Sequence, residues 1–235
     1  MLSEIDAVIL CGGLGKRLRS VESEKPKVMV EVAQKPFLDL VIEEYKKQGV
    51  HRVILCTGYK ADDVEEYYRK NSMGLTIEFS REKEPLGTGG AIKNARNLIK
   101  SNPFFVQNGD AFCRVDFKKL VQYHNDKKSI TTLVVAQAQD SQDFGTIILD
   151  ESNRIKNFLE KTGQPSNHLN AGIYCFDQKV FSKMPDKANF SMEYDVFSGL
   201  TKENFFGFVI EEKFWDIGTP DRYDAVKEIF KGKNK

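Results

Sequence analysis

A chain of 235 residues can bury a full hydrophobic core, so it needs neither a disulfide nor a metal to hold its fold. Its 35 Lys and Arg against 34 Asp and Glu leave a net charge of +1, which excludes a general electrostatic grip on nucleic acid or on an anionic membrane. With 40% apolar and 29% charged residues, the composition is that of a folded protein rather than a disordered one.

Cys11, Cys56, Cys113 and Cys175 lie far apart, with no C-x-x-C pair and no histidine at zinc-finger spacing. Unpaired thiols in a reducing compartment are expected. The N-terminus is acidic and runs directly into an apolar segment, unlike a secretory signal. No apolar run approaches the ~20 residues of a membrane span. The expected location is the cytoplasm, where the sequon Asn189-Phe190-Ser191 stays idle.

The first predicted element is a buried strand over 7–11, closed by Gly12-Gly13. A helix follows over 37–49, then a strand over 52–56, a polar helix over 61–71 and a strand over 75–80. Residues 82–91 read as a glycine-rich loop opening a helix over 90–100. A strand over 103–107, a helix over 117–126 and a strand over 130–136 complete the regular part. Shorter strands are expected at 146–149, 155–159, 172–176 and 206–210, with helices near 177–184 and 221–230. Strand–helix–strand units of this length imply an α/β fold, a Rossmann-like mixed and mostly parallel sheet flanked by helices. Residues 1–235 then form one domain, with a nucleotide-binding half over 1–110 and a substrate half over 111–235. The tail 231–235 is expected to fray.

Three segments carry chemistry. In Leu10-Cys11-Gly12-Gly13-Leu14-Gly15-Lys16-Arg17-Leu18, glycines can expose successive N–H groups to a phosphate, but equally they can serve a plain turn. Neither a Walker A loop nor a dinucleotide fingerprint fits, because Leu10, Arg17 and Leu18 stand where those motifs need other residues. Cations crowd the loop at Lys16, Arg17, Arg19, Lys25 and Lys27. In the second segment, Glu82 to Ala91, three glycines would let backbone lie flat against a base, or Thr88 would simply cap a helix. A carboxylate at Glu82 or Glu84 matches the adjacent N1–H and N2–H₂ donors of guanine better than the single donor of uracil or thymine. The third segment sets Asp110 at a strand's carboxyl end, where open sheets bind ligands, and Asp216 between apolar residues.

G-G-x-G-x-R-L, then P-K, then Lys35-Pro36, resembles the signature of the sugar-1-phosphate nucleotidyltransferases. The resemblance continues through residues 84–91, 108–110, 160–161, 170–172 and 215–220. It implies that Leu10, Gly12, Gly13, Gly15, Glu82, Glu84, Gly87, Thr88 and Asn108 bind the nucleotide and that Arg17 and Lys27 are the catalytic cations on its phosphates. Gly145, Glu160, Lys161 and Asn170 would hold the sugar phosphate, and Asp110 and Asp216 would hold Mg²⁺. The one departure is Lys16, where this family usually has Thr or Ser. His51, His124 and His168 fall outside the motifs and read as surface or structural. Short length, Leu-Gly-Thr-Gly-Gly-Ala and Phe190-Ser191-Met192-Glu193 resemble the heptose 1-phosphate branch, and no left-handed β-helix domain is expected. The implied substrates are GTP and a sugar 1-phosphate, with no nucleic-acid or membrane partner and a homodimer as one open assembly. Mannose as the sugar, uracil as the base and a non-catalytic sensor are the alternatives left standing.

Overall fold

The computed structural model describes residues 1–15, 17–18, 24–137, 146–159 and 168–231. Strand β1 (Asp6–Leu10) is the apolar run expected first, and it pairs in parallel with β4 (Arg52–Thr57) on one side and β6 (Phe104–Asn108) on the other. Both of its faces are covered, which is why it reads as an unbroken apolar stretch rather than an alternation. Beyond β4 lies the edge strand β5 (Thr76–Arg81). The short hairpin β2 (Glu31–Val32) and β3 (Lys35–Pro36) leads into helix α1 (Phe37–Lys47), α2 (Ala61–Lys70) joins β4 to β5, and α3 (Gly87–Asn94) joins β5 to β6.

The second half enters the same nine-stranded sheet. A two-stranded ladder pairs β7 (Ala111–Cys113) with β13 (Phe214–Asp216), and α4 (Phe117–Asp126) leads to β8 (Thr131–Gln137). Strands β9 (Thr146–Leu149) and β10 (Ile155–Leu159) form an antiparallel pair. Strand β11 (His168–Phe176) runs antiparallel to β6 and carries β8 on its other edge, with β12 (Phe205–Ile210) parallel to β8. From these pairings, all strands of the nine-stranded sheet but β10 and β11 point the same way, as expected for a mostly parallel sheet. Two apolar cores pack against its two faces. The last elements are a π-helical turn (Met192–Phe197) that continues into α5 (Ser198–Leu200), and α6 (Pro220–Lys231).

Three expectations shift. The helix placed at 90–100 starts at Gly87 and stops at Asn94, so the glycines form its first turn instead of a preceding loop. The strand placed at 172–176 begins at His168, and residues 178–183 are 3₁₀. The β7–β13 ladder was not foreseen, because three-residue strands carry too little pattern. All four cysteines are buried and free. Among the described residues, no helix is long and apolar enough to cross a membrane.

His124 bears out its structural reading. It is buried on α4, its Nδ1 lies 2.9 Å from the Thr132 hydroxyl, and burial pushes its pKa from 6.5 down to about 4, against a smaller upward pull from Asp177. The unfolded chain therefore binds a proton between those values that the folded chain refuses, and stability falls as pH falls. At pH 5 this single group costs about 2 kcal/mol relative to pH 7. Urea midpoints at the two pH values should converge by that amount in His124→Gln relative to the parent; an unchanged pH dependence would sink the assignment.

Candidate active site

Strands β1, β5 and β6 deliver their carboxyl ends to one cleft of about 490 Å³. Its walls include Leu10, Cys11, Gly12, Gly13 and Gly15 at and after the end of β1, Lys27 in the 3₁₀ turn before β2, Glu82 and Leu86 after β5, Gly87 and Thr88 in α3, and Asn108 and Asp110 at and after the end of β6. Nine residues expected from the sequence to touch the nucleotide or its phosphates thus converge there, together with Asp110. The glycine loop is tightly seated. Gly12 lies against Gly58 backbone, and a Cβ on it would fall 2.6 Å from Glu82 Oε1. Gly15 has φ +59° and leaves room for the Lys27 stem, whose Cβ would lie 2.9 Å from an added methyl.

One end of the cleft is electrostatic. Lys27 Nζ forms a close ion pair with Asp110 Oδ2. The β7–β13 register sets Asp216 opposite Ala111, and Ile217 N–H donates to the Asp110 carbonyl over 3.0 Å, so backbone brings the two carboxylates together. Asp216 Oδ1 accepts from Gly218 N–H at 2.7 Å and faces Arg222 Nη1 at 3.4 Å. Burial raises its pKa; Arg222 and Lys27 pull it back down, and Asp110 pushes it further up. Arg17 is exposed and brings its Nη2 to within 3.7 Å of where a Gly218 Cβ would stand. Lys27, expected to meet phosphates, is thus engaged with the Asp110 carboxylate. Arg222 was missed: the first turn after Gly-Thr-Pro held the signal, but nothing in the sequence said that α6 would turn it back onto Asp216.

The other end is where a base would fit. Glu82 lines the cleft and is half-buried, which raises its pKa, while the Leu86 N–H at 3.2 Å opposes that rise. Glu84 is exposed and does not line the cleft; it borders a smaller, adjoining depression beside Tyr59 and Lys83, which Glu82 also lines. Of the α3 glycines, Gly87 lines the cleft, whereas Gly89 and Gly90 are buried and do not lie open to a ligand. A Cβ on Gly87 would meet the Phe190 carbonyl at 2.5 Å, one on Gly89 the Phe190 ring at 2.2 Å, and one on Gly90 the Ala188 carbonyl at 2.2 Å. They are small because the 188–190 segment crosses them. The helix cap is Leu86, not Thr88, whose hydroxyl donates to Glu193 and accepts from Met192 N–H.

Asn108 closes the third side. Its Oδ1 is buried with no protein partner, and Gly172, at φ +68°, packs on its amide. Asn170 Oδ1 accepts from Gly172 N–H at 2.8 Å, so Asn170 stands directly behind Asn108. Gly145, Glu160 and Lys161 lie outside the described residues, as does Lys16.

The chain matches the nucleotidyl transferase family over residues 6–231. It belongs to that family. It is 39% identical over 227 residues to D-glycero-alpha-D-manno-heptose 1-phosphate guanylyltransferase of Aneurinibacillus thermoaerophilus, covering 96% of this chain and 98% of that one. The enzyme of the same name from Campylobacter jejuni is 37% identical over 219 residues, covering 93% and 97%. Mannose-1-phosphate guanylyltransferase of Mycobacterium tuberculosis is 35% identical over 94% of this chain, but only 63% of that protein is covered. Among solved structures, HddC from Yersinia pseudotuberculosis superposes with a TM-score of 0.86 at 38% identity, over 96% of this chain and 99% of that one. A second structure of that protein, with a TM-score of 0.84, is complexed with GMP-PN. A putative glucose-1-phosphate thymidylyltransferase from Bacillus anthracis, at 20% identity and a TM-score of 0.87, shares the fold.

Proposed function

We propose that the protein transfers GMP from GTP to D-glycero-α-D-manno-heptose 1-phosphate, giving GDP-heptose and pyrophosphate in the cytoplasm for a capsule or other surface glycan. The observation that carries this reading is the convergence of Lys27, Asp110, Asp216 and Arg17 at one end of a cleft with a half-buried carboxylate, Glu82, in its opposite wall. Near-complete mutual coverage of the two heptose 1-phosphate guanylyltransferases supports the heptose over mannose.

Two carboxylates beside each other, one with its pKa raised by burial and by its neighbour, are a donor set suited to a cation. Among the described residues no group of three or more ligating side chains occurs, which fits a metal that keeps phosphate oxygens and waters rather than a protein cage. Asp110 and Asp216 would hold Mg²⁺, which when bound supplies positive charge at the α-phosphate. The 1-phosphate needs no general base, because its second pKa is ~6 and it is already mostly a dianion. One of its oxygens attacks the α-phosphorus in line; the bond from that phosphorus to the bridging oxygen breaks, and pyrophosphate leaves. Lys27 exchanges its Asp110 contact for phosphate oxygens, and Arg17 offsets charge on the departing pyrophosphate. Glu82 accepts from guanine N1–H and N2–H₂, Asn108 Oδ1 accepts a ligand hydroxyl, and Lys161, Glu160, Asn170 and Gly145 receive the sugar phosphate.

Pyrophosphate release from GTP with heptose, mannose and glucose 1-phosphates tests the reading. The highest kcat/KM is expected with the heptose, and mannose should follow by about 10–100-fold, the worth of one fitted hydroxymethyl group. A mannose value above the heptose value would move the protein to mannose-1-phosphate guanylyl transfer; no release with any sugar would leave a binding protein.

A further inference from the structure

The segment 188–193 takes no part in the chemistry above, yet it ties together both walls of the cleft. On one side it covers the first turn of α3. Gly89 and Gly90 N–H groups donate to the Phe190 carbonyl at 3.0 and 3.2 Å, Phe190 N–H donates to the Leu86 carbonyl at 2.9 Å, and Asn189 Nδ2 donates to the Pro85 carbonyl at 2.6 Å. Its carboxylate, Glu193, accepts from the Thr88 hydroxyl at 2.5 Å and from the Ser191 hydroxyl at 2.6 Å, both through Oε2. On the other side, the Tyr174 hydroxyl donates to Glu193 Oε1 over 3.5 Å and accepts from Asn170 Nδ2 at 2.9 Å. Asn170 in turn holds Gly172 against Asn108.

Helix capping accounts for part of this. Ser191 caps the π-helical turn through the Glu193 and Tyr194 N–H groups. A cap does not require the same carboxylate to reach Thr88, 105 residues away in sequence, or a tyrosine on β11. Thr88, in the first turn of α3, and Asn108, at the end of β6, both line the cleft. A charged acceptor joining their supports is a strong, directional tie in a partly dry setting.

We propose that Glu193 is a positioning residue that sets the separation of the two cleft walls, holding Thr88 on one and, through Tyr174 and Asn170, the Asn108 edge on the other. This rests on the reading of the cleft as the site for GTP and sugar 1-phosphate. Glu193 touches neither substrate; it fixes the distance between the groups that do.

The test is a cycle on the full-length protein: Glu193→Gln, Tyr174→Phe and the double variant, with KM for both substrates, kcat and melting temperature. Wild-type turnover is measured first, so failure of the substrate assignment shows there, separately. Glu193→Gln should raise both KM values by about ten-fold, the weight of a hydrogen bond to a charged group. Tyr174→Phe removes the hydroxyl and leaves the ring in its aromatic cluster with Phe176 and Phe197. It should raise the KM for the sugar 1-phosphate, whose site includes Asn170, by about ten-fold, and that for GTP, reached only through Asn108, by a smaller factor. The double variant should be no worse for the sugar than Glu193→Gln alone, because the hydroxyl acts through that carboxylate. Multiplying effects in the double variant, or a lower melting temperature with both KM values unchanged, would overturn the proposal. If Glu193→Gln does not fold, Thr88→Val replaces it in the cycle, with the GTP KM expected to rise and that for the sugar to stay within about two-fold. An unchanged GTP KM would then overturn it equally.

Discussion

Asp110→Asn should lower kcat by about 10²–10³-fold, the usual loss when one preorganised electrostatic group is removed from a reaction site, while the melting temperature stays near that of the parent. The structural duties of this residue belong to its backbone: its carbonyl accepts from Ile217 N–H, and Ala111 beside it pairs with Asp216. The side chain is 36% exposed and, among the described residues, pairs with Lys27, so an amide of the same shape fits its place. What the amide removes is one of two negative charges facing the proposed cation site. Raising Mg²⁺ should recover part of the rate, because weaker binding is overcome by mass action. A variant that keeps near-normal kcat at limiting Mg²⁺ would show that Asp110 does not hold the metal.

The expected fold class was legible because its signals were long. The 7–11 run, the alternation of apolar strands with helical periodicity and the strand-end position of Asp110 all follow from burial, which acts on every residue of an element. The rule about where strands end placed Asp110 at the site, while Gly12, Glu82 and Asn108, which converge on the same cleft, were assigned by the family resemblance of their motifs. Arg222 had no such rule behind it. Whether a helix's first turn points back to a carboxylate six residues earlier depends on the tertiary angle between β13 and α6, and charge spacing alone does not encode that angle.

The α3 glycines show a different failure. Gly87, Gly89 and Gly90 carried a true signal, that a side chain there would collide with something, but sequence cannot say with what. A base was the plausible neighbour; Ala188 and Phe190, about a hundred residues away, are the actual one. The same contact explains why Phe190-Ser191-Met192-Glu193 stood out without an evident chemical role. Phe190 packs on the glycine turn, and Ser191, Met192 and Glu193 are tied to Thr88 and to one another.

Glu82 and Glu84 were equal candidates in the sequence, and the structure separates them. Glu84 is exposed outside the cleft; Glu82 stands in its wall between Gly12 and the Leu86 N–H. Glu82→Gln should cut kcat/KM for GTP by about 10–100-fold, the weight of a charge-assisted hydrogen bond, and leave UTP and dTTP nearly unchanged. Gln offers one acceptor and an amide donor where guanine presents two donors, so one guanine N–H would face another N–H. Glu84→Gln should behave like the parent. Because burial raises the Glu82 pKa, GTP affinity should fall on acidification at a higher pH than an ordinary glutamate would give; the carboxyl loses its acceptor pairing as it takes up a proton. In Glu82→Gln that acid limb should be gone. Competition among GTP, UTP, CTP and dTTP at equal concentration, repeated for both variants, decides the matter. If Glu84→Gln relaxes base choice and Glu82→Gln does not, the reader of the base lies outside the cleft wall; if UTP or dTTP is the best substrate of the parent, the carboxylate does not pair with guanine at all.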